Sequence, residues 1–315
     1  MTAAKDRRVH AAHTARDVVD TALVVQELQS CADKITELLK DLLPTVSGPE
    51  GRVVDAMRHG SLNGGKRLRP YLTVATAGLF GIGQHEALRT AAAIEMIHSY
   101  SLVHDDLPAL DDADLRRGEP TVHIAYDDAT AILAGDGLLT EAFSVLASPK
   151  THPDSEVRVE LIAGLAHASG AQGMVGGQMI DMSPDRDNFD LEGITRLQAL
   201  KTGALIKFSC QAGAILGRAN REQHSRIDAY ADDLGLAFQI VDDLLDVEGT
   251  TEELGKPAQQ DADAGKATFV GQLGVAGARQ KAAHLAESAI GYLDIFGGEA
   301  EPLRRIVQFV IERRS

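Results

Sequence analysis

An all-α fold is what this chain of 315 residues predicts. Aromatic residues make up only 4% and Trp is absent, while Ala and Leu abound, a mix that favours helix over sheet. Apolar residues recur at helical spacing along most of the length, and no convincing alternating strand is found. Several helical stretches are apolar on most faces with polar groups at selected positions. That pattern predicts a bundle of roughly ten or more helices whose core holds a cavity, with the polar groups at its mouth.

The elements follow in order. Residues 1–20 are polar and aperiodic and read as a loose N-terminal arm. Residues 21–315 read as a single domain. Leu28, Ala32, Ile35, Leu39 and Leu42 form one stripe of an amphipathic helix, which Pro44 ends. A basic turn, Gly64-Gly65-Lys66-Arg67-Leu68-Arg69-Pro70, precedes the next helix, with Pro70 as an early helical residue. Residues 86–107 predict a long helix, apolar on most faces and therefore central. Further helices are expected over 124–147, 155–168, 170–182, 190–217, 221–247, 266–290 and 300–313. The loop at 249–265 is long enough to be a lid.

Composition sets outer bounds. Hydrophobic residues make up 44%, ample for a core, and the net charge of −15 argues against a general nucleic-acid binder. Cys31 and Cys210 lack ligand-type spacing and fit a reduced, cytoplasmic compartment. No charged-then-apolar leader is found, and no run approaches the roughly 18 apolar residues that span a bilayer, so stable membrane insertion is not expected.

Two acidic clusters carry the chemistry. One is Asp105-Asp106-Leu107-Pro108-Ala109-Leu110-Asp111-Asp112; the other is Asp242-Asp243-Leu244-Leu245-Asp246. Carboxylates this dense repel one another unless a cation neutralises them, and hard cations held by carboxylates usually serve a phosphate substrate. Asp242 and Asp246 are four apart, about 40° around a helix, with Gln239 on the same side. Asp105 and Asp111 are six apart, roughly 240° around an ideal helix, too far to share a metal on a straight one. Pro108 removes a backbone donor and disfavours helix at Leu107, so a turn there can bring Asp111 back beside Asp105. Taken alone, each cluster is also compatible with a solvated surface: a proline-broken loop for the first, an acidic helix face for the second. Basic groups surround both. Lys66, Arg67 and Arg69 precede a helix N-terminus, a natural anion site. Arg116 and Arg117 follow the first cluster, Lys201-Thr202 falls early in the 190–217 helix, and Lys256 and Lys266 flank the expected lid. Carboxylate-bound metal ringed by Lys and Arg suits a diphosphate.

The segment from His98 through Thr121, with both acidic clusters, resembles the aspartate-rich regions of trans-isoprenyl diphosphate synthases, the polyprenyl synthetase family. Its proline-containing two-residue insertion resembles the bacterial farnesyl diphosphate synthase type. Gly64 to Pro70, Gly177-Gln178-Met179-Ile180-Asp181, Lys201-Thr202-Gly203 and Gly265-Lys266-Ala267-Thr268 match further blocks in the family's order, over roughly residues 25–315.

The resemblance implies the all-α isoprenoid synthase type I fold around a deep central catalytic cavity, usually as a homodimer, with three Mg2+ ions per site. It implies that Asp105 and Asp111 bind metal from one wall, supported by Asp106, and Asp242 from the other, supported by Asp243 and Asp246. Arg116, Lys201, Gln239 and Lys266 would hold an allylic diphosphate. Lys66, Arg69, His98 and Arg117 would hold isopentenyl diphosphate, with Arg67 in the same basic block. The reaction implied is head-to-tail prenyl transfer through an allylic cation, with Thr202 and nearby carbonyls stabilising that cation and a closing lid excluding water. Tyr100, five residues before Asp105, is implied as the floor that stops the product at fifteen carbons. Ser101 lies one turn before Asp105 by helix geometry.

The pattern departs in two places. His123 is followed by Tyr126-Asp127 where the family often has an aromatic-Gly pair, and Pro257 with a Gln pair follows Lys256. Rival readings are the same chemistry with a twenty-carbon product, a class I terpene cyclase, and a non-catalytic synthase subunit. A cyclase needs no second diphosphate site, and partner subunits typically lose one acidic cluster.

Overall fold

The computed structural model describes residues 21–248 and 267–313. The expected arm at 1–20, the expected lid at 249–265 and Lys256 and Lys266 lie outside them. The described chain is helical almost throughout. The helices are α1 (Thr21–Leu42), α2 (Gly51–Leu62), α3 (Leu68–Gly78), α4 (Gln84–Asp105), α5 (Val122–Ala125), α6 (Asp128–Ala147), α7 (Ser155–Ser169), α8 (Met174–Asp181), α9 (Leu191–Gln198), α10 (Ala204–Leu216), α11 (Arg221–Glu248), α12 (Phe269–Tyr292) and α13 (Glu301–Glu312). A π-turn, Ala199–Gly203, joins α9 to α10.

α4 is the central helix, as its sequence predicts. Ala87, every residue from Thr90 to Ile97, Ser99, Tyr100 and Val103 are buried, which leaves little solvated face. It packs on α3 and α6. α1 buries Val24, Leu28, Cys31, Ile35 and Leu39, close to the predicted stripe, with Leu43 rather than Leu42 at its end. A second apolar cluster, with Ile240, Val241 and Leu244 of α11 against Phe269, Val270, Ala278 and Ala282 of α12, stands apart from the main core.

Four expectations need correction. α2 is an unforeseen helix, because its Gly51, His59 and Gly60 blur the periodicity, although Val54, Ala56 and Met57 are buried. A two-stranded hairpin, β1 (Leu115–Arg116) and β2 (Glu119–Pro120), was also missed, being too short to alternate visibly. The 124–147 segment breaks between α5 and α6, where Asp127 takes an extended conformation and caps α6 by accepting from the N–H of Thr130 at 2.7 Å. Finally, α6 is long and apolar enough to cross a membrane by length and composition, counter to the expectation that no run approaches that length. It carries Asp128, Asp136 and Glu141, and Ala131, Ala134, Leu138, Ala142 and Leu146 are buried, so α6 reads equally as a bundle helix.

Candidate active site

The first wall is the C-terminal end of α4. Asp105 is its last residue and Asp106 its C-cap. The chain then turns back on itself: Leu110 N–H donates to the Leu107 carbonyl at 2.9 Å, Asp112 N–H to the same carbonyl at 3.1 Å, and Asp111 N–H to the Asp105 carbonyl at 2.8 Å. The six-residue spacing therefore closes to a backbone contact, as the proline argument expected. Asp105 has its carboxyl pushed up to about 6, first by burial, which nearby Lys201 partly offsets, and then by the charge of Asp111. Asp106 is buried against Arg116. Arg116 of β1 donates to it through Nε at 2.8 Å and through an Nη at 2.5 Å. Asp106 and Arg116 thus hold each other and pin the hairpin beneath the turn.

The second wall is the C-terminal half of α11. Asp242 is its open carboxylate, with a side chain 42% exposed that accepts from Arg313 at 2.6 Å. Asp243 is buried and accepts from the Phe269 N–H at 2.7 Å, fixing the first residue of α12. Asp246, expected on the face of Asp242, is covered instead. Gln239 donates to the side chain of Gln198 in α9 at 2.7 Å.

Two cavities meet here. A basic one of about 690 Å³ is lined by Lys66, Arg69, His98, Arg117, Phe238 and Arg313. A second, of about 400 Å³, runs from Asp105 and Lys201 past Thr202, Ser101 and Tyr100 to Met174 and Met179. Arg69 and His98 line both and mark where they join. Burial, then Arg69 and Arg117, hold His98 well below its ordinary value, so it is a neutral imidazole among cations. Lys66 is lowered by burial and by Arg313, against the pull of Asp242. Arg117 takes the left-handed conformation (φ 56°) and donates to the Asn63 side chain at 3.2 Å and to the Gly64 carbonyl. Arg67 and Glu95 also border this cavity, but Arg67 is only 4% exposed and its guanidinium is bonded to Glu95.

Lys201 sits on the π-turn, a local widening that often marks functional sites. Its ammonium meets Asp181 of α8 at 2.5 Å. α8 comes this close because Gly177 has no side chain: a Cβ there would lie 2.2 Å from the Lys201 backbone nitrogen. On the opposite side Gly235 of α11 faces Gly203, where a Cβ would stand 3.4 Å from the Gly203 Cα. Gly177 and Gly203, both in the blocks singled out in the sequence, lie at these contacts. The Tyr126-Asp127 departure is local, since Asp127 caps α6 and accepts from Arg52 at 2.7 Å.

Two site residues, Arg313 and Glu95, carry no signal in the sequence. Arg313 belongs to a basic C-terminal run indistinguishable from solvated charge. Glu95 sits in an apolar helix, where a lone acid carries no motif.

The geometry defines the class: an α-helical protein with a basic cavity adjoining an apolar one, Asp105 lining the apolar cavity and Asp242 bearing on Lys66, Arg69 and Arg313 of the basic one. Comparisons agree. Residues 51–294 match the polyprenyl synthetase family. The chain is 41% identical over 295 residues to the farnesyl diphosphate synthase of Escherichia coli (strain K12), covering 92% of this chain and 99% of that one. It is 40% identical over 283 residues to the geranylgeranyl diphosphate synthase of Cyanophora paradoxa, covering 89% and 94%. The solved structure of an FPP/GFPP synthase from Zymomonas mobilis superposes with a TM-score of 0.83 at 48% identity, covering 92% of this chain and 99% of that one. The chain belongs to the polyprenyl synthetase family and is a prenyltransferase with the all-α isoprenoid synthase fold.

Proposed function

We propose that this enzyme condenses isopentenyl diphosphate with dimethylallyl or geranyl diphosphate and stops at farnesyl diphosphate. The supporting observation is the junction at Arg69 and His98, where a basic cavity opens into an apolar one that begins at Asp105. One cavity suits the diphosphate of the nucleophile, the other the hydrocarbon of the allylic partner.

Mg2+ fits the donor set. Asp105, Asp111 and Asp242 offer only hard oxygens. That favours an ion shared between one or two carboxylates, water and substrate phosphate. When bound, such ions neutralise the diphosphate and assist its departure as charge develops on it. Asp106 holds Arg116, and Asp243 and Asp246 stiffen the second wall.

Lys201, set by Asp181 and the π-turn, lines the same cavity as Asp105 and meets the allylic diphosphate there. The Thr202 hydroxyl and the π-turn carbonyls direct dipoles at the allylic carbon as the C–O bond breaks. The neutral His98 donates one hydrogen bond to isopentenyl diphosphate, while Lys66, Arg69 and Arg117 supply charge. The double bond of isopentenyl diphosphate attacks the cation, and the departed diphosphate takes the proton that is lost. The assembly is a homodimer: α6 leaves Ile132 and Leu133 exposed, with Ile124 of α5 close by in the chain, an apolar face that a second copy covers.

The test is a product assay with Mg2+, isopentenyl diphosphate and each of the five-, ten- and fifteen-carbon allylic primers, read by mass spectrometry with a chelator control. Farnesyl diphosphate as end product, with the fifteen-carbon primer left unextended, is the expected result. Extension to twenty carbons keeps the mechanism and moves the floor. No metal-dependent product from folded protein refutes the reading.

A further inference from the structure

Arg67 and Glu95 make the most deeply covered ion pair among the described residues, with side chains 1% and 2% exposed and Nη1 2.5 Å from Oε1. The other Nη of Arg67 donates to the Ser61 carbonyl at 2.6 Å. The pair is costly in three ways. Arg67 holds a left-handed backbone (φ 47°), which a side chain disfavours. Two charges are withdrawn from water, where apolar replacements often do as well or better. The Arg67 Nε is buried with no hydrogen-bond partner. Costs concentrated on one residue point to a role beyond stability.

Placement supplies that role. Arg67 is the N-cap of α3, two residues before Arg69. Glu95 lies on α4, one turn before His98. The pair therefore bolts the start of α3 to α4 at the level where Arg69 and His98 enter the basic cavity. Arg69 and Arg117 both feel the charge of Glu95.

We infer that Arg67–Glu95 is the positioning pair of the isopentenyl diphosphate half-site: it borders the cavity with side chains that are almost wholly covered and engaged with each other, and it acts by fixing Arg69 and His98 in one register to receive the substrate. This rests on the assignment of the basic cavity to isopentenyl diphosphate.

Charge alone predicts an effect of the opposite sign. Glu95 is an anion beneath an anion site, so if potential alone set affinity, Glu95→Gln would tighten diphosphate binding. Positioning requires it to weaken. The experiment measures KM for both substrates and the melting temperature of wild type, Glu95→Gln and the double variant Arg67→Met/Glu95→Leu. Glu95→Gln is expected to raise KM for isopentenyl diphosphate by about tenfold or more, and KM for the allylic substrate by no more than about twofold. The double variant, with both buried charges gone, recovers the melting temperature but not KM. An unchanged or lowered KM, an equal rise for both substrates, or a double variant that recovers KM together with stability would each overturn the inference. If wild type makes no product, the reading of the site fails instead. Calorimetric titration of wild type and Glu95→Gln with isopentenyl diphosphate then gives the same comparison without turnover.

Discussion

The backbone N–H of Asp111 donates to the carbonyl of Asp105 at 2.8 Å, so two carboxylates six residues apart leave adjacent points of the chain. The turn that does this ends at Asp112, which adopts φ 48°. Asp tolerates this region, Gly prefers it, and a β-branched residue is strained there. Asp112→Gly is therefore expected to keep stability and activity, whereas Asp112→Val costs about 1–2 kcal/mol and spoils the carboxylate pair. Thermal melts with turnover at saturating Mg2+ check this. Equal behaviour of the two variants would mean the turn is not held by that residue.

Asp105 makes the metal-free protein less stable as pH rises. Burial, only partly offset by Lys201, and then Asp111 raise its carboxyl to about 6, so the folded state keeps its proton to a higher pH than the unfolded chain. Where the folded state binds more protons, stability falls with pH, here from the ordinary carboxylate range up to about 6, and the loss is complete above that. Asp105→Asn removes the penalty. Without metal, the variant is expected to melt a few degrees above wild type near pH 7.5 and level with it near pH 4, although it is inactive. A wild type that melts higher than the variant near pH 7.5 contradicts the assignment.

Arg313 competes for the second wall. Its guanidinium donates to Asp242 at 2.6 Å and lies 3.9 Å over the Phe238 ring. A cation on Asp242 must displace or share that contact. Arg313→Gln is expected to lower the Mg2+ concentration for half-maximal rate by about threefold, and to raise KM for isopentenyl diphosphate because one cation of the basic cavity is lost. Titrating Mg2+ against fixed substrates separates the two effects. A higher Mg2+ requirement would place Arg313 as support for the metal.

Most of this architecture was legible in the sequence because it repeats simple periods. The apolar wrap of α4 gave a central helix, and the return of Asp111 to Asp105 followed from helix angles and one proline. What was not legible depends on contacts between distant segments. Asp246 shares a helix side with Asp242 by arithmetic, yet it is covered while Asp242 stays open. Gly177 stands in a block that the sequence singles out, but only the fold shows that its missing side chain admits the π-turn backbone. Arg67 sits in a basic run and reads as a substrate ligand, but its charge is spent on Glu95, which no pattern marks.

Tyr100 lines the apolar cavity and is the floor we propose for it. It is buried, its ring meets His104 edge-on at 5.7 Å between centroids, and His104 in turn lies 3.0 Å through Nε2 from the Ile132 carbonyl of α6. Burial and then Asp105 push its hydroxyl up to about 12, so it remains a neutral, bulky stop at any working pH. Because His104 ties the ring to α6, the floor is anchored by two helices and should not yield to a growing chain. Tyr100→Phe keeps the ring and is expected to keep the fifteen-carbon product. Tyr100→Ala removes it, destabilises the core by about 3–5 kcal/mol, and opens room for at least one further five-carbon unit. Mass spectrometry of products formed well below the melting temperature of the variant decides the matter. If Tyr100→Ala still stops at fifteen carbons while folded and active, the limit lies deeper, and the methionines of α8 are the next residues to change.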